Sequence, residues 1–232
     1  MTAAQPALVL LRQMAEARNY NAWLLDRCRP YLGRRVLDVG AGIGTFTELL
    51  APLCELVVAL EPDPVFLPRL RRRFAGRSNV VVLDAEATTL APDSLPPVDS
   101  VVCLNVLEHI QDDAEALRRL REQLEPGGRL LLLVPAHPSL YGSLDRTAAH
   151  ERRYDKGQLR RLLGQAGFAV EVLRHVNPIG TLGWLVSARL LRRARFPEAP
   201  LRLYDRLLPL LRPLDRLGLP FGLSLWAVAR RG

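Results

Sequence analysis

Short apolar runs bounded by glycine, proline or acidic residues alternate along most of the chain with amphipathic segments of helical period, which predicts successive strand–helix units around a parallel sheet. The runs begin at VLDV from Val36 and continue through ELVVAL, NVVVLD, VDSVVCL, RLLLLVPA and AVEVLRHV, with SLWAVARR near the C-terminus. Helices fall between them: TFTELL from Thr45, the segment after Pro64 ending in Arg71, Arg72 and Arg73, residues 112–124, and DKGQLRRLLGQAGF from Asp155. The helix at 112–124 is expected to stop at EPGG, before the fifth strand opens at Arg129. Ahead of the first strand, Leu8, Leu11 and Ala15, then Trp23, Leu24 and Leu25, recur at helical spacing. Two short helices are expected there, broken around residues 19–21.

Two stretches depart from this alternation. Residues 137–154, HPSLYGSLDRTAAHERRY, are rich in turn formers and proton-carrying side chains, and they read as a long loop leaving the fifth strand. Residues 177–223 separate the sixth and seventh strands by far more than a hairpin needs. In that insertion Leu182, Leu185, Val186, Leu190, Leu201, Tyr204, Leu207, Leu208 and Leu211 repeat at helical spacing, while Pro197, Pro200, Pro209, Pro213 and Pro220 divide it into short pieces. Arg189, Arg192, Arg193, Arg195, Arg202, Arg206, Arg212 and Arg216 outnumber Glu198, Asp205 and Asp215. A basic amphipathic surface of this kind suits a solvated face, a wall for a hydrophobic or anionic substrate, or a membrane interface.

Candidate chemistry centres on VLDVGAGIG, a buried strand running into a glycine turn. Gly40, Gly42 and Gly44 supply backbone freedom and close approach to a ligand. A dinucleotide fingerprint would need its third glycine at position 45, where the chain has Thr45. The acidic Asp38 before the glycines would repel a pyrophosphate and suits a ligand that presents a sulfonium and an amino group. Later strands also end in carboxylates, Glu61 and Asp84, at the edge where open α/β sheets bind ligands. Glu61 falls about 20 residues after the loop, the spacing at which a carboxylate meets both ribose hydroxyls.

In these residues the chain resembles the class I S-adenosylmethionine-dependent methyltransferases. Its NVLEHI stretch after the fourth strand and its EPGG before the fifth are similar to the ubiquinone and menaquinone type of small-molecule methyltransferases. The resemblance covers about residues 20–175 and the last strand. It implies a Rossmann-like, doubly wound, seven-stranded sheet, mostly parallel with an antiparallel last strand, carrying N-terminal helices and a helical insertion. The chain is then a single domain, with residues 1–32 as a helical cover and 177–223 as a candidate substrate lid. The implied cofactor is S-adenosyl-L-methionine, held by Asp38, Gly40, Gly42, Gly44, Glu61, Pro62, Asp84, Ala85 and Asn105, with Tyr20 contributed by the cover. Asp84 and the Ala85 backbone would meet the adenine, and Asn105 the methionine part.

Within the loop at 137–154, His137, Tyr141, Asp145, His150, Arg152 and Tyr154 can line a substrate site. His150 is the best base, because a neutral imidazole accepts a proton near neutral pH, with Tyr141 and Tyr154 as further catalytic candidates. The same residues can instead lock the loop to the sheet. His109 packs or caps more readily than it reacts.

Composition narrows the rest. Of 232 residues, 49% are hydrophobic, enough for one large α/β core. Cys28, Cys54 and Cys103 show neither metal nor disulfide spacing, so core thiols in a reducing compartment and no metal are expected. No run reaches the length of a membrane span and no secretory leader is evident, which points to the cytoplasm, with peripheral membrane contact open. The net charge of +8 comes from arginines spread along the chain, with Lys156 the single lysine. The sequence carries neither the Asp/Asn-Pro-Pro-aromatic turn of amino-methylating DNA enzymes nor a Pro-Cys nucleophile, so a DNA base is not the expected substrate. A small, hydrophobic acceptor at O, N or C is expected. A non-methylating cyclase or isomerase on the same fold and a nicotinamide-dependent oxidoreductase are the rival readings.

Overall fold

A computed structural model describes residues 4–92, 94–190 and 198–232. Seven strands form one sheet: β1 (Arg35–Val39), β2 (Leu56–Leu60), β3 (Val80–Leu83), β4 (Val98–Leu104), β5 (Leu124–Pro135), β6 (Phe168–Val176) and β7 (Ser224–Arg231). Their spatial order is β3-β2-β1-β4-β5-β7-β6, with β7 inserted antiparallel between β5 and β6. The order reverses between β1 and β4, the switch point at whose carboxyl ends open α/β sheets bind ligands. Register aligns these ends: Val39 pairs with Leu60 and Cys103, and Leu60 with Leu83.

Alternation along the strands feeds two cores. Leu37, Val39, Leu130 and Leu132 face the layer of α5 (Asp113–Gln123) and α7 (Lys156–Gln165), through Leu117, Leu120, Leu159 and Leu163. Val36, Leu131 and Leu133 face the other layer, built from α2 (Arg18–Cys28), α3 (Thr45–Leu50), α4 (Leu67–Phe74) and α9 (Glu198–Leu211). The three cysteines are buried and unbonded to one another, as their surroundings implied.

Several boundaries differ from the sequence reading, two of them because a distant group supplies a partner. The first two helices, α1 (Ala4–Glu16) and α2, part at Ala17 rather than at 19–21. Asn19 and Tyr20 lie in the first turn of α2, where their backbone N–H groups donate to the Asp205 carboxylate of α9 at 3.4 and 2.9 Å. This is a helix cap supplied from another element. Pro209 does not divide the insertion; it sits inside α9. A proline there leaves the carbonyl four residues earlier without its donor, and the Asn19 side-chain amide donates to that Asp205 carbonyl at 3.0 Å. β5 begins at Leu124, so EPGG is an irregularity within the strand: Val98 pairs with Leu124 and Ser100 with Arg129. The helix expected at 112–124 spans Asp113–Gln123, and NVLEHI before it holds a short 3-10 turn, Leu107–His109.

The stretch at 137–154 is folded rather than open. It holds a 3-10 turn, Pro138–Leu140, and α6 (Ser143–Thr147), and an Ala136–Tyr154 bridge closes its base. The insertion holds α8 (Pro178–Trp184), a π-helical turn (Leu185–Leu190), α9 and a 3-10 turn (Arg212–Leu217). Arg192, Arg193, Arg195 and Pro197 lie outside the described residues, and of Arg189, Leu190 and Arg216 only the backbone is described.

Asp215 fastens this insertion to α2. Its buried carboxylate accepts from Trp23 Nε1 at 2.9 Å, from the Asn177 backbone at 2.8 Å and from the Arg27 guanidinium at 2.5 Å. Removing it would strand a buried cation and two donors. Asp215→Ala is therefore expected to cost about 3–5 kcal/mol of stability, read as a lower midpoint in urea unfolding, and an unchanged midpoint would mean that water replaces the carboxylate.

Candidate functional site

The aligned strand ends bring the sequence-picked carboxylates and the glycine loop to one edge. Gly40, Gly42 and Gly44 adopt φ of 67°, 58° and 82°. Gly40 is confined by β4's exit, since a Cβ there would stand 2.6 Å from Val106 Cγ2. At Gly44 a Cβ would meet Phe74 at 2.5 Å, so that glycine allows α4 to close on the loop. Gly42 is covered by α1, with Leu11 Cδ1 3.3 Å from where its Cβ would be.

Glu61, just beyond β2, is buried and accepts from Gly42 N at 2.6 Å and from Asp63 N at 2.9 Å. Burial raises its carboxyl above the usual range, against the pull of those two N–H groups. Asp38 turns into the core and accepts from Thr47 Oγ1 of α3 at 2.6 Å. Burial pushes it up to about 7, with the Thr47 bond opposing and the nearby Glu61 adding to the rise. Asp84 lies exposed just past β3, 3.8 Å from Arg71, and Pro62 is exposed beside Glu61. Ala85 is half-buried after Asp84. Asn105 adopts φ 55° past β4 and anchors its N–H on Leu133 O at 2.8 Å. Its side chain meets the Tyr20 hydroxyl, which burial holds at about 12. Trp23 packs beside Tyr20 and gives its N–H to Asp215, so of these two aromatics only Tyr20 reaches the site.

The loop at 137–154 lays a second polar group against the 3-10 turn after Asn105. Fully buried Asp145 accepts from Gly142 N, Arg153 Nε and His150 Nδ1 at 2.8, 2.8 and 2.9 Å. Burial alone would raise its carboxyl, but these donors outweigh it and hold it below the usual range. Arg153 is buried too, donating to Ala136 O at 2.9 Å and lying over the Trp184 ring of α8 at 4.3 Å. An ionised Asp145 fixes the Nδ1–H tautomer of His150 and leaves Nε2 as an acceptor. That nitrogen lies 3.9 Å from Glu108 Oε1.

Glu108 is fully buried, and neither carboxyl oxygen has a hydrogen-bond partner among the described residues. Burial pushes it up to about 8. His109 packs edge-on against His150 at 4.8 Å, and burial followed by the neighbouring imidazole lowers it to about 4. Ligand-type atoms of Glu108, His109 and His150 gather within 4.8 Å of one another, a grouping that chain spacing did not show. Tyr141 gives its hydroxyl to His150 O at 2.8 Å, and Tyr154 gives its own to Asp113 Oδ2 at 2.8 Å. His137 lies elsewhere, stacked on His175 with ring centroids 4.7 Å apart, and Arg152 pairs with Asp113.

Sequence reasoning missed Thr47, Arg153 and Leu11 as partners of the site. Thr47 had a faint signal, one helical turn into the segment after the loop. Arg153 and Leu11 had none, because their partners are set by tertiary packing.

The sheet order, the switch point and the acidic glycine loop are those of the class I methyltransferase fold. The sequence model for "Methyltransferase domain" matches residues 37–130, from β1 into β5. A probable S-adenosylmethionine-dependent methyltransferase of Mycolicibacterium smegmatis is 32% identical over 152 residues, covering 64% of this chain and 56% of that protein. A ubiquinone biosynthesis O-methyltransferase of Xanthomonas oryzae is 35% identical over 105 residues, 43% of this chain and 42% of the relative. The chain thus spans about half the length of the curated relatives it matches. In three dimensions, an S-adenosylmethionine-dependent methyltransferase of Mesorhizobium loti superposes with a TM-score of 0.61 at 18% identity, over 89% of this chain and 96% of the other. Over residues 37–130 the chain is similar to the methyltransferase-domain family, and its fold is that of the class I S-adenosylmethionine-dependent methyltransferases.

Glu108 makes stability depend on pH in a defined direction. Its folded value near 8 exceeds the ordinary 4.5, so the folded state holds the proton more tightly than the unfolded chain. Its contribution to folding is full below the unfolded value and is lost as pH rises through the folded one. Glu108→Gln should be increasingly more stable than wild type from about pH 5 to pH 8, by up to about 1.4 kcal/mol per pH unit, and the advantage should vanish below pH 4. Melting curves across that range give the test; a constant difference would place the titration elsewhere.

Proposed function

We propose that the protein transfers a methyl group from S-adenosylmethionine to a small, hydrophobic acceptor whose attacking atom carries a proton. The observation that carries this reading is the pairing of an acidic glycine loop, packed at Gly40 on Val106, with an imidazole whose tautomer Asp145 fixes, on a loop bonded to the turn that follows Asn105. The donor supplies an activated methyl on a sulfonium, ready for in-line displacement. Glu61 accepts the ribose hydroxyls, Asn105 and Tyr20 flank the methionine part, and Asp84 and Ala85 border the adenine. α1, through Leu11, is the cover over the loop, and the insertion walls the acceptor side.

His150 Nε2 takes the acceptor's proton, and the ionised Asp145 steadies the imidazolium that results. Glu108, neutral near pH 7, lies beside that nitrogen without competing charge. Tyr141 and Tyr154 act by holding the loop, since both hydroxyls already donate within the protein. Alignment of donor and acceptor supplies the larger part of the acceleration, about 7–11 kcal/mol where the geometry is near attack.

Calorimetric titration with S-adenosylhomocysteine and, separately, with NADH should give saturable binding of the first alone. Glu61→Ala should weaken that binding about tenfold or more, from lost charge-assisted hydrogen bonds. In an extract supplied with trideuteromethyl donor, a product heavier by the label identifies the acceptor, and an unlabelled new product would point to cyclisation instead. His150→Gln should lower kcat by about 10²–10⁴ while leaving cofactor affinity unchanged; full turnover would assign the loop to support alone.

A further inference from the structure

The insertion turns two chemically different faces in opposite directions. On α9 the inward Tyr204 and Leu208 pack on the sheet layer, and Tyr204 gives its hydroxyl to Asn177 at 2.8 Å. A second stripe, Leu203, Leu207 and Leu210, recurs at intervals of four and three residues and faces outward, 58%, 41% and 77% exposed. Leu217 continues the exposed apolar surface beyond the helix. Of the eleven large hydrophobic side chains exposed among the described residues, eight belong to residues 177–223. Single exposed leucines are ordinary, but such a concentration on one element marks an interaction surface.

Charge is sorted the same way. The insertion carries eight arginines and three acids. Two of those acids are turned inward: Asp205 caps α2, and Asp215 is buried against Arg27, Trp23 and Asn177. The third, Glu198, pairs with Arg202. Arg202 and Arg206 stay exposed along the border of the outward stripe. The outer face therefore combines leucines with Arg206 and the exposed Arg202–Glu198 pair, while the other two acids of the insertion are spent on the inner one.

We propose that this outer face of residues 198–217 docks the protein on an anionic lipid bilayer, with Leu203, Leu207 and Leu210 entering the headgroup boundary and the bordering arginines meeting phosphates. A helix of fourteen residues, about 21 Å long, lies in such an interface and does not cross it. No helix among the described residues is long and apolar enough to span a membrane. A second copy of the chain fits less well, because a two-fold interface sets each arginine-bordered stripe against its own like charges. This docking goes beyond methyl transfer and does not depend on it.

Flotation with vesicles tests the proposal on the full chain without cofactor. The protein should float with vesicles of equimolar phosphatidylcholine and phosphatidylglycerol and stay behind with phosphatidylcholine alone, and added salt should release it. A variant with Leu203→Gln, Leu207→Gln and Leu210→Gln should partition about tenfold or more weakly, given the apolar area withdrawn from the interface. Arg202→Gln with Arg206→Gln should weaken partition about fivefold per charge removed. Both variants should keep the wild-type melting temperature, because every substituted side chain is exposed. No flotation with anionic vesicles would overturn the proposal, as would a leucine variant that floats like wild type. So would a wild-type dimer in light scattering that the leucine variant abolishes while vesicles fail to bind.

Discussion

A parallel sheet ends all its strands at one edge, and this chain places carboxylates there in a region of little water. Each must find donors or carry a proton. Asp38 finds Thr47, and Glu61 finds two backbone N–H groups, one of them from the glycine loop itself. Glu108 finds none among the described residues. All three are pushed upward by burial, so the edge holds carboxyl groups in reserve, each readier to ionise when a positive group arrives. A cofactor carrying a sulfonium and an ammonium would supply that charge. The same constraint accounts for the glycines, because a Cβ at Gly40 or Gly44 would collide with Val106 or Phe74 and push the loop away from Glu61.

The second organising link joins the insertion to this edge. Asp205 caps the helix that carries Tyr20, and Tyr20 in turn meets Asn105. Asp215 fixes the same helix one and two turns later, through Trp23 and Arg27. Arg153, which steadies Asp145 in the loop over the site, lies on Trp184 of α8. The insertion is therefore linked to both groups: through α2 to Tyr20 and Asn105, and through Arg153 and Asp145 to His150. Segments more than 150 residues apart in sequence form one mechanical unit.

Most of the sheet was legible because parallel strands buried on both faces leave apolar runs, and all seven runs became strands. The aligned carboxylates were legible because each sits at the end of such a run. What escaped notice was every feature that depends on a partner far along the chain. The split at Ala17 needed Asp205, and the continuation of α9 through Pro209 needed the Asn19 amide. The stretch at 137–154 read as an open loop since its composition is turn-rich; Asp145, Arg153 and the Ala136–Tyr154 bridge fold it, and none of these leaves a periodic trace. His150 was picked for its chemistry, but its tautomer is set by an aspartate five residues earlier, a spacing that matches no regular element.

The placement of the acids settles how the two faces of α9 divide their work. An amphipathic helix needs only one apolar stripe to pack on a sheet, and α9 satisfies that need with Tyr204, Leu208 and their neighbours. The second stripe contributes nothing to that packing, and its exposure to water is unfavourable. Had the acids remained outside, the helix surface would be a mixed, solvated one of the ordinary kind. With Asp205 and Asp215 turned toward α2, the outer surface keeps only Glu198 of the insertion's acids, paired with Arg202, beside the leucines and Arg206. Asp205 and Asp215 thus fix the insertion to α2 and leave the outward leucines of α9 without that packing role.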